Sequence, residues 1–272
     1  MAPHTWMRWS LAMPTETATK SNTKIALVTG ASRGLGRNTA LSLARKGVDL
    51  IVTYHSNRTE ADSAVALIEA AGRKAVALQL DSSNVSTFDA FVRNLGAVLR
   101  SKWSRDRFDF LVNNAGTAVY APFAHTSESD FDQMVNIHLK GVFFLTQRLL
   151  PLLNDGGRIV NLSSGLARFA TPGYVAYASM KGAIEVLTRY LAKELGPRGI
   201  AVNTVAPGAI ETDFGGGVVR DNPELNKQIA SVTALGRVGV PDDIGPMIAA
   251  LLSDDNRWIT AQRIEVSGGM FL

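Results

Sequence analysis

Apolar residues in this chain come in short unbroken runs, separated by longer stretches where they recur every three or four positions. The runs at 24–29 (KIALVT), 48–54 (VDLIVTY), 74–80 (KAVALQL), 108–113 (FDFLVN), 158–163 (RIVNLS), 200–206 (IAVNTVA) and 263–268 (RIEVSG) predict strands. Between them, 35–46, 58–71, 85–101, 127–150, 174–195 and 241–252 predict helices, with Gly72, Pro151, Gly196 and Pro197 marking three of the stops. Strands that are apolar throughout are covered on both faces. Their alternation with helices therefore predicts an α/β fold: a doubly wound parallel sheet with helices on both sides. No linker, repeat or low-complexity tract interrupts the alternation, so 23–272 reads as a single domain. Residues 1–22 have no periodicity, turn polar, and lack the apolar core and cleavage pattern of a secretory signal. They are expected to be an unstructured leader, or to precede a start at Met13.

Composition narrows this picture. The chain has 272 residues, 46% of them hydrophobic and 19% charged, which is enough apolar material for a full core and excludes global disorder. It has no cysteine, so disulfides, thiolate metal sites and cysteine nucleophiles are excluded. The compartment is not fixed by redox chemistry; a cytoplasmic location is compatible and expected. His4, His55, His125 and His138 show no ligand spacing with carboxylates, and no metal is expected. No apolar run approaches the ~20 residues of a membrane span. The net charge of +4 is concentrated in 93–107, where Arg93, Arg100, Lys102, Arg105 and Arg107 face only Asp106. Only Trp103 could interleave with these charges, so the segment reads as a solvated helix end and no nucleic-acid partner is expected.

The first strand runs straight into Thr29-Gly30-Ala31-Ser32-Arg33-Gly34-Leu35-Gly36 and then a helix. Glycines let the backbone turn tightly and approach a ligand, and a helix start offers free N–H groups and positive dipole to phosphate. This is how a doubly wound sheet holds a dinucleotide, although the spacing is G-x-x-x-G-x-G, not G-x-G-x-x-G. At the end of the second strand, Tyr54, His55, Ser56, Asn57 and Arg58 stand where a carboxylate would bind the ribose 2′-hydroxyl of NAD. The first acid is Glu60, whereas Arg33 and Arg58 would suit a 2′-phosphate, so NADP(H) is the expected cofactor and NAD(H) the alternative.

Tyr177 and Lys181 stand four apart near the start of a helix and share a face. A phenol near its unperturbed pKa of about 10 exchanges protons poorly at neutrality, and a nearby ammonium would lower that value. Such a pair could give or take an alcohol proton during hydride transfer. Ser163 and Ser164 end the fifth strand at the ligand-binding edge, where a hydroxyl could follow the charge on a carbonyl oxygen. Asn113, Asn114, Ala115 and Gly116 leave the fourth strand at the same edge. Asn136 sits inside a predicted helix despite its poor propensity, which leaves a polar role or simple solvation.

Taken in order and spacing, these motifs resemble the short-chain dehydrogenase/reductase family over roughly 24–272. Residues 29–36 match its TGxxxGxG loop, 113–116 its NNAG, and Tyr177 with Lys181 its YxxxK. Ser164 lies thirteen before the tyrosine, as the family's serine does, and Asn136 matches its helix asparagine. Pro207, Gly208, Ile210 and Thr212 resemble the segment that holds the nicotinamide, and Asp81 matches the position near the adenine. The next residue, Ser82, departs from the commoner valine, and 1–22 have no counterpart.

The resemblance implies a seven-stranded Rossmann sheet and a catalytic set of Asn136, Ser164, Tyr177 and Lys181. Tyr177 would be the acid/base, and Lys181 would lower its pKa and bind the nicotinamide ribose. Ser164 would orient the carbonyl, and Asn136 would hold a water linking Lys181 to solvent. It also implies a homotetramer, or a dimer, built on the helices that carry Asn136 and Tyr177. The expected activity is NADP(H)-dependent reduction of a small ketone or aldehyde, or its reverse; the alternative is a catalytically silent NADP(H)-binding regulator. Leu166, Arg168, Phe169 and Thr171 are expected along the substrate pocket. Arg168 would meet an anionic substrate or form a surface ion pair, and Gly215–Gly217 would be a lid hinge or a plain turn.

Overall fold

The computed structural model describes residues 23–272. Seven parallel strands form one sheet in the order β3-β2-β1-β4-β5-β6-β7. They are β1 (Ile25–Val28), β2 (Asp49–Tyr54), β3 (Ala75–Gln79), β4 (Phe108–Asn113), β5 (Leu153–Leu162), β6 (Ala201–Pro207) and β7 (Arg263–Val266). The order reverses between β1 and β4, so the carboxyl ends of these two strands flank the crevice where such sheets bind ligands. The main helices are α1 (Gly34–Arg45), α2 (Arg58–Ala70), α3 (Phe88–Trp103), α4 (Glu128–Val135), α5 (Gly141–Leu149), α6 (Val175–Leu195), α7 (Val218–Asp221), α8 (Pro223–Ser231) and α9 (Pro241–Leu251).

Alternate residues of β1 to β6 feed two cores, as the pleat requires. Ala26 and Val28 of β1 pack with Leu43 of α1, Ile68 of α2 and Ile248 of α9. Ile25 and Leu27 pack on the other face with Phe91 and Leu95 of α3, Leu145 of α5 and Leu195 of α6. Asn113, Asn161, Thr188 and Thr204 form a buried hydrogen-bonded chain across β4, β5, α6 and β6, with steps of 2.8, 3.0 and 2.7 Å. Asn113 is thus a sheet-to-helix strut, although it sits at the head of a motif.

Two expectations change. The helix expected at 127–150 is interrupted by a π-turn, Asn136–Lys140, in which the Gly141 N–H bonds the Asn136 carbonyl. A Cβ on Gly141 would collide with the Ser82 carbonyl oxygen and lie 2.8 Å from that of Asn136, so this close crossing requires glycine. The segment expected as a helix at 85–101 opens with a short 3-10 turn, Val85–Thr87, before α3. The basic 93–107 segment is largely neutralised by local pairs: Arg100 with Asp106, Lys102 with Glu69, and Arg105 with Asp109. The leader expected at 1–22 lies outside the described residues. Among the described residues no helix is long and apolar enough to cross a membrane, and no three His, Asp or Glu converge as a metal site would require.

Candidate active site

The loop after β1 is set by close packing. A Cβ on Gly30 would lie 2.9 Å from Ala115 Cα, and one on Gly36 would lie 2.5 Å from Asn114 Nδ2. Asn114 locks the two strand ends together: its side chain donates to the carbonyls of Thr29 and Gly30 at 2.8 and 3.2 Å. Thr29 Oγ1 in turn accepts the N–H groups of Asn114 and Ala115 at 2.9 and 3.0 Å. Gly34 differs, with φ +57° and nothing nearer its would-be Cβ than Thr212 at 3.8 Å. The loop therefore leaves a cradle between the start of α1 and the segment after β6. Arg33 precedes α1 in extended backbone with no side-chain cap, which leaves that helix start open toward an anion.

At the end of β2, Asn57 caps α2 by accepting the Glu60 N–H at 3.1 Å, so its side chain is committed to the helix. Glu60 is held by Arg37 at 3.2 Å, and Arg58, exposed, pairs with Asp62 at 3.3 Å. Ser32 is half-buried and Arg33 exposed in the loop, Tyr54 is buried, and Ser56 is exposed at the strand end. Arg33 has no ion-pair partner among the described residues. Asp81 turns back to hold the hydroxyl and N–H of Ser83 at 2.6 and 2.9 Å, which also fixes Ser82 against Gly141. On the opposite side, Gly208 donates to Val266, and a Cβ there would lie 2.9 Å from Ser267 Cα. Ile210 bridges to Gly239, and Thr212 Oγ1 accepts the Phe214 N–H at 3.2 Å.

Tyr177 and Lys181 are both buried on α6, as their spacing predicts. The phenol lies among Met134, Met180, Leu139 and Leu166. Burial raises its pKa above the ordinary value, and a hydrogen bond with Ser164 offsets part of that rise. Sequence reasoning expected the lysine to lower it. Instead Lys181 Nζ stands 5.4 Å from the ring centroid and donates to the Leu162 carbonyl at 2.7 Å. Its own pKa is pulled down to about 7 by burial, so of the two groups the lysine holds its proton the more weakly. Ser164 also accepts the Leu166 N–H at 3.2 Å, and its carbonyl accepts from Arg263 at 3.3 Å. Ser163 points the other way and bonds Glu185 at 2.7 Å.

Asn136 is half-buried at the start of the π-turn, two residues before His138, and lines a groove with Ser83, Glu128 and Asp132. His138 is the residue that sequence reasoning missed. It is buried, and its ring meets that of Tyr177 edge-on at 5.1 Å. The stripe Met134, His138, Gly141 and Leu145 carried the signal, because that periodicity puts His138 on the inner face.

The outer walls are aromatic. Phe214 lies 5.8 Å from Tyr177, and Tyr120 meets Tyr174 at 5.4 Å. Arg168 is not available to an anion: it forks onto Glu265 at 2.7 and 2.8 Å and also binds the Met270 carbonyl. Gly215–Gly217 all have positive φ, and Arg220 bridges Asp213 and Asp221 beside them at 2.6 and 2.7 Å. The glycines thus form a tight turn that seats Phe214 over the tyrosine.

Known proteins resemble this chain over most of its length. The family model described as enoyl-(acyl carrier protein) reductase matches residues 30–271. A hydroxynaphthalene reductase-like protein of Metarhizium brunneum is 36% identical, covering 95% of this chain and 99% of its own. The solved structure of LugOII, a promiscuous reductase catalysing keto-reduction at C1 during lugdunomycin biosynthesis, superposes with TM-score 0.86 at 40% identity, over 90% of this chain and 96% of that one. The angucycline C-6 ketoreductase LanV, solved with bound NADP, gives TM-score 0.87 at 35% identity, over 91% and 95%. With the seven-stranded order, the glycine loop and the buried Tyr177–Lys181 pair in place, the chain belongs to the short-chain dehydrogenase/reductase family.

Proposed function

We propose that this protein is an NADP(H)-dependent ketoreductase. The observation that carries the reading is the convergence of Tyr177, Ser164 and Lys181 in a buried apolar pocket, beside the open cradle formed by Gly34 and Thr212. When bound, the nicotinamide supplies the hydride. Gly30, Ser32, Gly34, Leu35 and Gly36 would line its pyrophosphate; Arg33, Ser56 and Arg58 would face the 2′-phosphate; and Asp81 and Ser82 would border the adenine. Ala115, Gly116, Pro207, Gly208, Ile210 and Thr212 would border the nicotinamide end. The NADP bound in LanV supports this choice of cofactor.

Ser164 donates to the carbonyl oxygen of the substrate and follows its growing charge. Tyr177 gives its proton to that oxygen, and its raised pKa keeps it protonated and ready to do so at neutral pH. Lys181, tied to Leu162, places a positive charge beside the tyrosinate that results. A silent regulator would have no use for a proton donor buried at such a site.

For the substrate, the aromatic walls favour a fused-ring aromatic ketone, which would stack where an aliphatic thioester gains little. The hydroxynaphthalene and angucycline substrates named for the relatives point the same way. The fork of Arg168 on Glu265 speaks against recognition of an anionic group. NADPH oxidation measured with a tetralone and with an acetoacetyl thioester tests this reading, and faster turnover of the thioester would reverse it. Phe143, Val186 and Tyr190 lie exposed on α5 and α6, consistent with a homotetramer or dimer through these helices, which light scattering would measure.

A further inference from the structure

The sheet stops one residue short of Ser164. The β5–β6 ladder ends with Leu162 opposite Val205, and the last backbone bond on that side runs from the Ser163 N–H to the Val205 carbonyl at 2.8 Å. Ser164 follows in extended backbone, and a 3-10 turn starts after it. Its carbonyl accepts the Ala167 N–H of that turn at 3.1 Å and the guanidinium of Arg263, on β7, at 3.3 Å. The same guanidinium donates through Nε to Glu185 at 2.7 Å and through Nη1 to Glu265 at 2.9 Å. Glu185, on α6, also accepts the Ser163 hydroxyl at 2.7 Å, so Arg263 holds the chain at two successive residues. Glu265 in turn accepts Arg168, from the same loop as Ser164, at 2.7 and 2.8 Å, and the Ser267 hydroxyl at 2.9 Å. Burial opposes the charge on Glu265, yet the bonds from Arg168, Arg263 and Ser267 outweigh it and hold its pKa at about 2. Two arginines thus balance two glutamates on one side of the loop. A planar guanidinium can serve three acceptors at once, which a lysine ammonium on the same strand could not do in one geometry.

We propose that Arg263 is a positioning residue for Ser164, its guanidinium fixing the serine backbone beyond the last rung of the sheet so that the hydroxyl meets both the Tyr177 phenol and the substrate carbonyl. This rests on the ketoreductase reading above. Arg263 touches no reacting atom, and neither proton nor hydride passes through it. Its effect is geometric: a displacement of about 1 Å at a group that must meet two partners can cost up to about 100-fold in rate. The loop is held again further along, where Arg168 forks onto the same Glu265 and the Phe169 ring packs on that of Phe271 at 4.8 Å. Glu265 therefore joins the two holds, and Arg263 is the one that acts on the serine itself.

Arg263→Lys in the full chain separates this role from charge balance, because lysine keeps a positive charge between Glu185 and Glu265 but has no fork to reach the Ser164 carbonyl as well. The variant is expected to keep its urea midpoint close to wild type and its NADPH affinity, followed by fluorescence, within about 2-fold. Its kcat on a tetralone is expected to fall about 10-fold with KM within about 3-fold. Lysine would restore a purely structural ion pair, so a wild-type kcat in this variant overturns the proposal. Ser164→Ala gives the second readout. Adding Arg263→Lys to it is expected to cost nothing further, since the positioned hydroxyl is gone; losses that multiply in the double variant overturn the proposal. Should Arg263→Lys not fold, Glu265→Gln, of the same shape as its parent, loosens the same guanidinium. It is expected to lower kcat about 3-fold, and only while Ser164 is present. No loss, or a loss that persists in Ser164→Ala, counts against Arg263 equally. A wild-type protein that reduces no ketone sinks the ketoreductase reading instead, before any variant is compared.

Discussion

The two ends of the active-site cleft are built on different terms. At the nucleotide end, Gly30 and Gly36 of the β1–α1 loop are held by contacts from Asn114 and Ala115 just after β4, and Thr29, Asn114 and Ala115 share a closed set of hydrogen bonds. At the catalytic end, Tyr177 and Lys181 are buried with little compensation, and the acceptor on His138 has none in the protein. The first region uses its polar groups to be rigid. The second keeps polar groups under strain of solvation, which is how pKa values are moved to where chemistry needs them. Stability and reactivity are therefore separable by mutation.

Removing the phenol breaks the comparison most sharply. Tyr177→Phe is expected to lower kcat by about 10³-fold or more, roughly 4 kcal/mol in the barrier, with NADPH affinity unchanged in a fluorescence titration. Gly36→Ala should do the reverse. Its Cβ would meet Asn114 and the Gly30 carbonyl, weakening NADPH binding by about 100-fold and costing about 1–3 kcal/mol in urea unfolding. Gly141→Ala would press on the Ser82 carbonyl and cost a similar 1–3 kcal/mol, and it is expected to depress kcat by displacing the π-turn and His138.

Acid provides a gentler probe. The pKa of His138 lies near 3 in the folded chain and near its usual value of 6.5 when unfolded. The stability it contributes is complete above pH 6.5 and declines as pH falls toward 3, because the unfolded chain then binds the extra proton. The slope is at most about 1.4 kcal/mol per pH unit in that window, and denaturant midpoints of His138→Asn against pH should lack it. The smallest expected effect is Arg33→Ala, which should reduce the preference for NADPH over NADH by about 10-fold, measured as the ratio of kcat/KM.

Much of this molecule is legible in one dimension. Seven apolar runs, a glycine loop after the first, and tyrosine and lysine four apart fix the sheet, the cofactor end and the helix that carries the proton donor, because strand burial, tight turns and helical periodicity are local properties. Other features arise only from packing. Asn136 and His138 are both polar residues in one helical stretch, and only packing shows that His138 is buried edge-on to the tyrosine while Asn136 is half-buried at a groove. Arg168 could have met a substrate, but Glu265, nearly a hundred residues on, claims it. The elevated phenol pKa likewise follows from burial, where the sequence pair alone pointed to a lowered one. Spacing along the chain determined which residues this protein has for its chemistry. Desolvation and long-range contact, which no local pattern encodes, decided which of them reach the site and in what protonation state.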